Sequence, residues 1–236
     1  MGMRAGSLTH RLVWLILPLA LACGSGDVGR KEAKIAPGAG VAPLTTPERV
    51  ILFLGTSLTA GYGLPAGEGF PARIQEKIDE AELTYRVVNA GVSGDTSAGA
   101  LRRLDWLLRQ PISVLVVELG ANDMLRGQRI SAMRANLQAI VDRVAESQPS
   151  AKLVVAGMRA APNLGTDYAS EFEASFRELA ERNRGALIPF LLEGVAGRPE
   201  LNQSDGIHPT AEGQRIVASN VWKVLEPLLM SSTDSG

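Results

Sequence analysis

The chain contains two histidines: His10, within an apolar N-terminal stretch, and His208, within Asp205-Gly206-Ile207-His208-Pro209. Once a leader is removed, any chemistry that needs an imidazole base at neutral pH must run through His208. Asp205 stands three residues upstream, close enough for a turn to bring its carboxylate against the ring. That pair is the base half of a Ser-His-Asp device. The imidazole takes a proton from a hydroxyl, and the carboxylate fixes the tautomer and offsets the imidazolium charge. The nucleophile must come from elsewhere in the chain, delivered by whatever elements carry its polar loops.

From Arg49 onward, short β-rich runs alternate with amphipathic stretches. Val50 to Leu54 is a continuous apolar run ending at Gly55, the pattern of a strand buried on both faces. Pro71 opens a helix with Ile74 and Ile78 on one face. Tyr85 to Val88 reads as the second strand, and Leu101, Leu104 and Leu108 mark the next helix. Val114 to Leu119 is the third strand, followed by a helix bearing Met133, Leu137, Ile140, Val141 and Val144. Leu153 to Ala156 is the fourth, with Phe172, Phe176 and Leu179 on its helix. Leu187 to Phe190 is the fifth. Thr210 then reads as the N-cap of a last helix carrying Ile216, Val217, Val221, Val224 and Leu228. Strands separated by helices in this way predict an α/β fold with a five-stranded parallel sheet covered on both sides.

In such sheets the functional loops lie beyond the carboxyl ends of the strands. Four polar segments meet that condition: Gly55 to Gly63, Asn89 to Thr96, Gly120 to Asp123, and Asp205 to Pro209. Ser57 is the expected nucleophile, with His208 as its base and Asp205 behind the imidazole. The backbone N–H groups of Ser57 and Gly94 and the side-chain amide of Asn122 are the expected donors to an oxyanion, each worth roughly 3 kcal/mol in known cases. Taken singly, the segments have ordinary explanations. Gly-Thr-Ser after a strand is a common turn or cap, Gly-x-Asn-Asp is a turn composition, and Asp205 with His208 could be a capped turn or two metal ligands. Their joint order at strand ends favours acyl transfer. A metal site lacks a third His or a Cys nearby. Gly61, Gly63 and Gly67 form a loose glycine run, but without Gly-Lys-Ser/Thr or an acidic residue ending the second strand it argues poorly for nucleotide binding.

At these residues the chain resembles the SGNH (GDSL) hydrolase superfamily, whose four blocks fall on Ser57, Gly94, Asn122 and His208 in the family's order. It looks most like the bacterial multifunctional acyl-thioesterase/arylesterase/lysophospholipase branch, through Val88-Asn89-Ala90, Gly94-Asp95-Thr96, Val117-Glu118-Leu119-Gly120, Leu125-Arg126-Gly127 and the segment around His208. The resemblance implies a three-layer α/β/α sandwich, doubly wound and flavodoxin-like. It also implies a Ser-His-Asp triad, no cofactor, and acyl esters or thioesters, including lysophospholipids, as substrates. One position departs from the pattern: Thr56 stands where the family's first block has Asp. The family Asp is expected to order the loop, so the substitution should retune activity rather than abolish it.

The segments Met124 to Ile130 and Met158 to Tyr168 follow the third and fourth strands. They are expected to wall an acyl pocket with Leu125, Ile130, Met158 and Leu164. Residues 1–23 read as an export signal, with Arg4 and Arg11, an apolar centre from Leu12 to Ala22, and a small-residue end. Its eleven apolar residues are too few for a permanent span, which needs about 20. Cys23, the chain's one cysteine, excludes an intramolecular disulfide and stands as in a bacterial lipobox, which predicts a lipid-anchored protein outside the cytoplasm, in a bacterial periplasm. Residues 24–47 are rich in Gly, Ala, Pro and Ser and read as a flexible linker. The hydrolase domain is expected over 48–230, with a disordered tail at 231–236. Without residues 1–23 there are 22 basic and 25 acidic residues, which gives no case for nucleic acid as a partner; the protein is expected to act as a monomer. Two alternatives remain open: a carbohydrate O-acetylesterase with the same machinery, and a catalytically idle protein that binds acyl chains in the old cleft.

Overall fold

The computed structural model describes residues 49–231. The expected leader, Cys23, the linker and the tail beyond Ser231 lie outside the described residues. Those described all belong to one contact unit, Thr45–Gly236. Its strands are β1 (Arg49–Gly55), β2 (Tyr85–Gly91), β3 (Val114–Glu118), β4 (Lys152–Ala156) and β5 (Ala186–Ile188). All pair in parallel, in the order β2-β1-β3-β4-β5, the flavodoxin-like arrangement that the family resemblance implies. The helices are α1 (Ser57–Ala60), α2 (Phe70–Glu80), α3 (Ser97–Leu107), α4 (Ala121–Leu125), α5 (Ile130–Ser147), α6 (Thr166–Arg182) and α7 (Ala211–Met230). On one side of the sheet α2 packs against α7; on the other, α5 lies between α3 and α6.

The periodic apolar positions do what their spacing predicts. Ile74 and Ile78 of α2, Met133, Leu137 and Ile140 of α5, Phe172 and Phe176 of α6, and Val217 and Val221 of α7 are buried against the strands. Phe53 and Phe70 meet edge to face across the β1–α2 layer at 5.5 Å, as Phe172 and Phe176 do within α6 at 5.1 Å. The Thr210 hydroxyl accepts the Gly213 N–H at the start of α7, the cap expected there.

Several details differ from expectation. β2 runs on past Val88 to Gly91. β5 ends at Ile188, because Pro189 has no N–H to extend the ladder. β3 ends one residue early, at Glu118. The helices α1 and α4 are too short to leave a periodic trace in sequence, yet they set Ser57 at the first position of one and Asn122 at the second of the other.

Register is what matters for the site. Gly55, at the end of β1, faces Gly91 of β2 on one side and Glu118 of β3 on the other. Chain direction across the sheet reverses between β1 and β3, which makes this the topological switch point where such folds open a crevice. Close approach here depends on Gly91. A Cβ on it would lie 2.3 Å from the Ala60 nitrogen and 2.8 Å from the Thr59 carbonyl carbon. We expect Gly91→Ala to push β2 from α1 and to cost about 1–3 kcal/mol, read as a lower urea midpoint at unchanged slope.

Candidate active site

Ser57 opens α1 immediately after the carboxyl end of β1, and His208 stands just before α7. The fold brings them together: His208 Nε2 lies 2.9 Å from Ser57 Oγ. Behind the ring, His208 Nδ1 lies 2.6 Å from Asp205 Oδ2. The other carboxylate oxygen of Asp205 accepts the backbone N–H groups of Ile207 (2.9 Å) and His208 (3.0 Å). These donors, first the His208 amide and then its side chain, hold the Asp205 carboxyl down at about 2. It is therefore ionised throughout the range in which an imidazole can act as a base.

Two glutamines that sequence reasoning missed tie the two halves of this arrangement together. The Gln203 amide donates to the carbonyls of Tyr62 (2.7 Å) and Pro209 (3.1 Å), while its backbone N–H donates to the His208 carbonyl (2.7 Å). Gln214 of α7 is buried. It donates to the Leu58 carbonyl at 3.3 Å and accepts the Phe70 N–H at 2.9 Å. The Tyr62 ring stands 4.6 Å from the imidazole, tilted by 43°, and covers its outer face. A glutamine carries no chemical signature in sequence, so neither could be picked out by residue type.

Beneath Ser57 lies a buried acid. Glu118, at the end of β3, is 1 % exposed. Its Oε2 accepts the Thr56 N–H (2.8 Å), the Thr59 hydroxyl (2.8 Å) and the Thr59 N–H (3.3 Å), and its Oε1 accepts the Thr56 hydroxyl (2.9 Å). Thr56 and Thr59 bracket Ser57, so this carboxylate clamps the turn that presents the hydroxyl. The residue that departs from the family pattern is thus accounted for. The Thr56 hydroxyl donates to Glu118, an arrangement open to Thr but not to an ionised Asp. Burial pushes the Glu118 pKa up, and the threonine donors only partly offset it.

Gly94 and Asn122 flank the same edge. Gly94 has φ +78°, and its N–H, like that of Ser57, has no hydrogen-bond partner among the described residues. The Asn122 amide donates one hydrogen to the Asp95 carbonyl at 2.9 Å, which leaves its second hydrogen free. Asp123, next to Asn122, is buried and accepts from the Ser97 N–H (2.9 Å) and the Ser97 hydroxyl (2.5 Å). The Asn136 amide closes the set onto Ser97 at 3.0 Å. The loops carrying Gly94 and Asn122 are therefore locked to each other. Among the described residues no three His, Cys, Asp or Glu side chains converge as metal ligands.

The expected pocket walls divide. Leu125 (61 % exposed) and Leu164 (38 %) present apolar surface to solvent. Ile130 and Met158 instead pack into the hydrophobic core at 7 % exposure each, and as placed they offer no open wall. Ile130 begins α5, and its side chain falls on the helix face that covers the sheet.

The raised Glu118 pKa fixes the sign of a pH effect. The folded state holds this proton more tightly than the unfolded chain, so stability is greatest below the ordinary carboxylate pKa and declines as pH rises through the raised value. We expect Glu118→Gln to remove that decline, measured by urea unfolding between about pH 4 and 8. Thr56→Val, which deprives a buried carboxylate of a donor, should cost about 1–3 kcal/mol and lower kcat, while Thr56→Ser retains both.

Comparison with known proteins agrees with this geometry. Residues 53–216 match the model of the GDSL-like lipase/acylhydrolase family. Esterase TesA of Pseudomonas aeruginosa is 40 % identical over 182 residues, covering 77 % of this chain and 90 % of that one. Thioesterase 1/protease 1/lysophospholipase L1 of Escherichia coli is 38 % identical over 181 residues, covering 76 % and 84 %. The crystal structure of AlinE4, an SGNH-hydrolase family esterase, superposes with a TM-score of 0.64 at 42 % identity, covering 77 % of this chain and 97 % of that one. The chain belongs to the GDSL-like lipase/acylhydrolase family and is a carboxylic-ester hydrolase.

Proposed function

We propose that the chain is a serine esterase that hydrolyses aryl esters, acyl esters and thioesters, lysophospholipids among them. Ser57 attacks the carbonyl carbon while His208 takes its proton. His208 then returns that proton to the departing alcohol or thiol, which leaves an acyl–Ser57 ester for water to cleave. Asp205, ionised and hydrogen-bonded behind the ring, keeps the imidazole in the tautomer that points its bare nitrogen at Ser57. The Ser57 and Gly94 N–H groups and the free hydrogen of the Asn122 amide receive the oxyanion.

The observation that carries this reading is the 2.9 Å approach of His208 Nε2 to Ser57 Oγ, with Asp205 2.6 Å behind the ring. The same arrangement weakens the idle alternative, whose one support was Thr56. That residue makes its hydrogen bond to Glu118 and leaves the turn ordered. The exposed Leu125 and Leu164 favour an apolar acyl chain over a glycan-bound acetyl group. The leader and Cys23 support an extracytoplasmic, lipid-anchored protein, and comparing fatty-acid labelling of Cys23→Ala with the parent chain tests that address.

We expect Ser57→Ala and His208→Ala each to reduce kcat for p-nitrophenyl butyrate by about 10⁴-fold or more, with folding unchanged by circular dichroism. Esters from acetyl to palmitoyl should show a preference for chains longer than acetyl. Full turnover by Ser57→Ala would end the assignment.

A further inference from the structure

Arg126 stands next to Gly94 and, among the described residues, has no charge partner. It is the residue that closes α4, and its N–H donates to the Asn122 carbonyl at 3.1 Å. The short segment that carries the Asn122 amide therefore carries this guanidinium as well. One of its Nη atoms lies 3.4 Å from the point where a Cβ on Gly94 would stand, so the cation overhangs the space that the missing side chain leaves open. The carboxylates of the site are committed elsewhere. Asp95 pairs with Arg103 at 2.8 Å, Asp123 holds Ser97, Asp205 holds His208, and Glu118 holds Thr56 and Thr59. Among the described residues the Arg126 guanidinium makes no ion pair or side-chain hydrogen bond.

We propose that Arg126 is the charge partner of the anion held between Ser57, Gly94 and Asn122: the oxyanion during reaction, and the monocarboxylate product after it. This rests on the reading of Ser57 as nucleophile. In deacylation, His208 takes one proton from the attacking water and returns it to Ser57 Oγ as the acyl–oxygen bond breaks. The carboxylic acid so formed ionises to a carboxylate and a released proton. Product and oxyanion thus place negative charge at the same point, and a cation on its edge stabilises both. The free acid is consequently an inhibitor whose strength is set by the same residue that assists turnover. At the border of solvent such a charge is worth roughly three- to tenfold, and added salt screens it.

The test uses neutral p-nitrophenyl butyrate, inhibition by butyrate, and direct titration of butyrate by calorimetry, on the parent chain, Arg126→Gln and Arg126→Lys. Arg126→Gln should lower kcat and raise the butyrate Ki and Kd by about three- to tenfold each, with KM little changed. Arg126→Lys should retain most of both effects. Salt at about 0.5 M should bring the parent toward the Gln variant and leave that variant unaltered. An Arg126→Gln protein with unchanged kcat and butyrate Kd overturns the proposal. So does a loss shared equally by Arg126→Lys and insensitive to salt, which marks a structural role. Failure of the nucleophile reading is seen separately, as turnover by Ser57→Ala, whereas the calorimetric Kd reports Arg126 without reference to turnover.

Discussion

A carboxylate shut away from water must be surrounded by donors or give up its charge, and in this molecule that requirement shapes the turn that carries Ser57. Glu118 sits at the end of the central strand β3 and takes its donors from the two threonines on either side of Ser57. Because β3 is hydrogen-bonded to β1 with Glu118 opposite Gly55, the clamp is referenced to the sheet rather than to another loop. The serine hydroxyl is thereby fixed relative to the centre of the sheet. The rest of the site is built outward from it. Asn122 comes in α4 just after β3, Gly94 just after β2 on the other side of β1, and the imidazole arrives from the far end of the chain.

The second half of the site obeys a different logic. Asp205 and His208 form their contacts within a single turn, so the base and its carboxylate are oriented by local backbone donors and need little from the domain. What the domain supplies is their placement, through Gln203 and Gln214. The electrostatics of the two halves also differ. The exposed Asp205 is stabilised as an anion by nearby N–H groups, whereas Glu118 is pushed toward its neutral form by burial. On the proposed mechanism the Asp205 anion lies behind the ring that becomes positive, which favours the transfer of charge that acyl chemistry requires.

Much of this could be read from residue order. The strands and long helices follow from uninterrupted apolar runs and helical spacing, the scarcity of histidine singles out His208 with Asp205, and the strand-end rule gathers the segments that carry Ser57, Gly94 and Asn122. The parts that escaped have physical reasons. The helices α1 and α4 span four and five residues, less than the window in which periodicity shows. Glu118 ends an apolar run and reads as its polar edge; its burial follows only from the pairing of β3 with β1. Asp123 and Ser97 meet across 26 residues, a separation that composition cannot bridge. Ile130 and Met158 were expected along an open wall because they follow the right strands, but side-chain direction put them inside.

Ser57 and His208 are separated by 151 residues along the chain, so four of the five strands must be threaded between them before they touch. The Asp205–His208 turn can form early and by itself, but closing so long a loop is entropically slow and depends on the intervening strands having already joined. On the proposed mechanism, enzymatic competence is thus expected among the last properties acquired during folding and among the first lost if α7 lifts away. Hydrolysis in this protein doubles as a sensor of complete tertiary assembly.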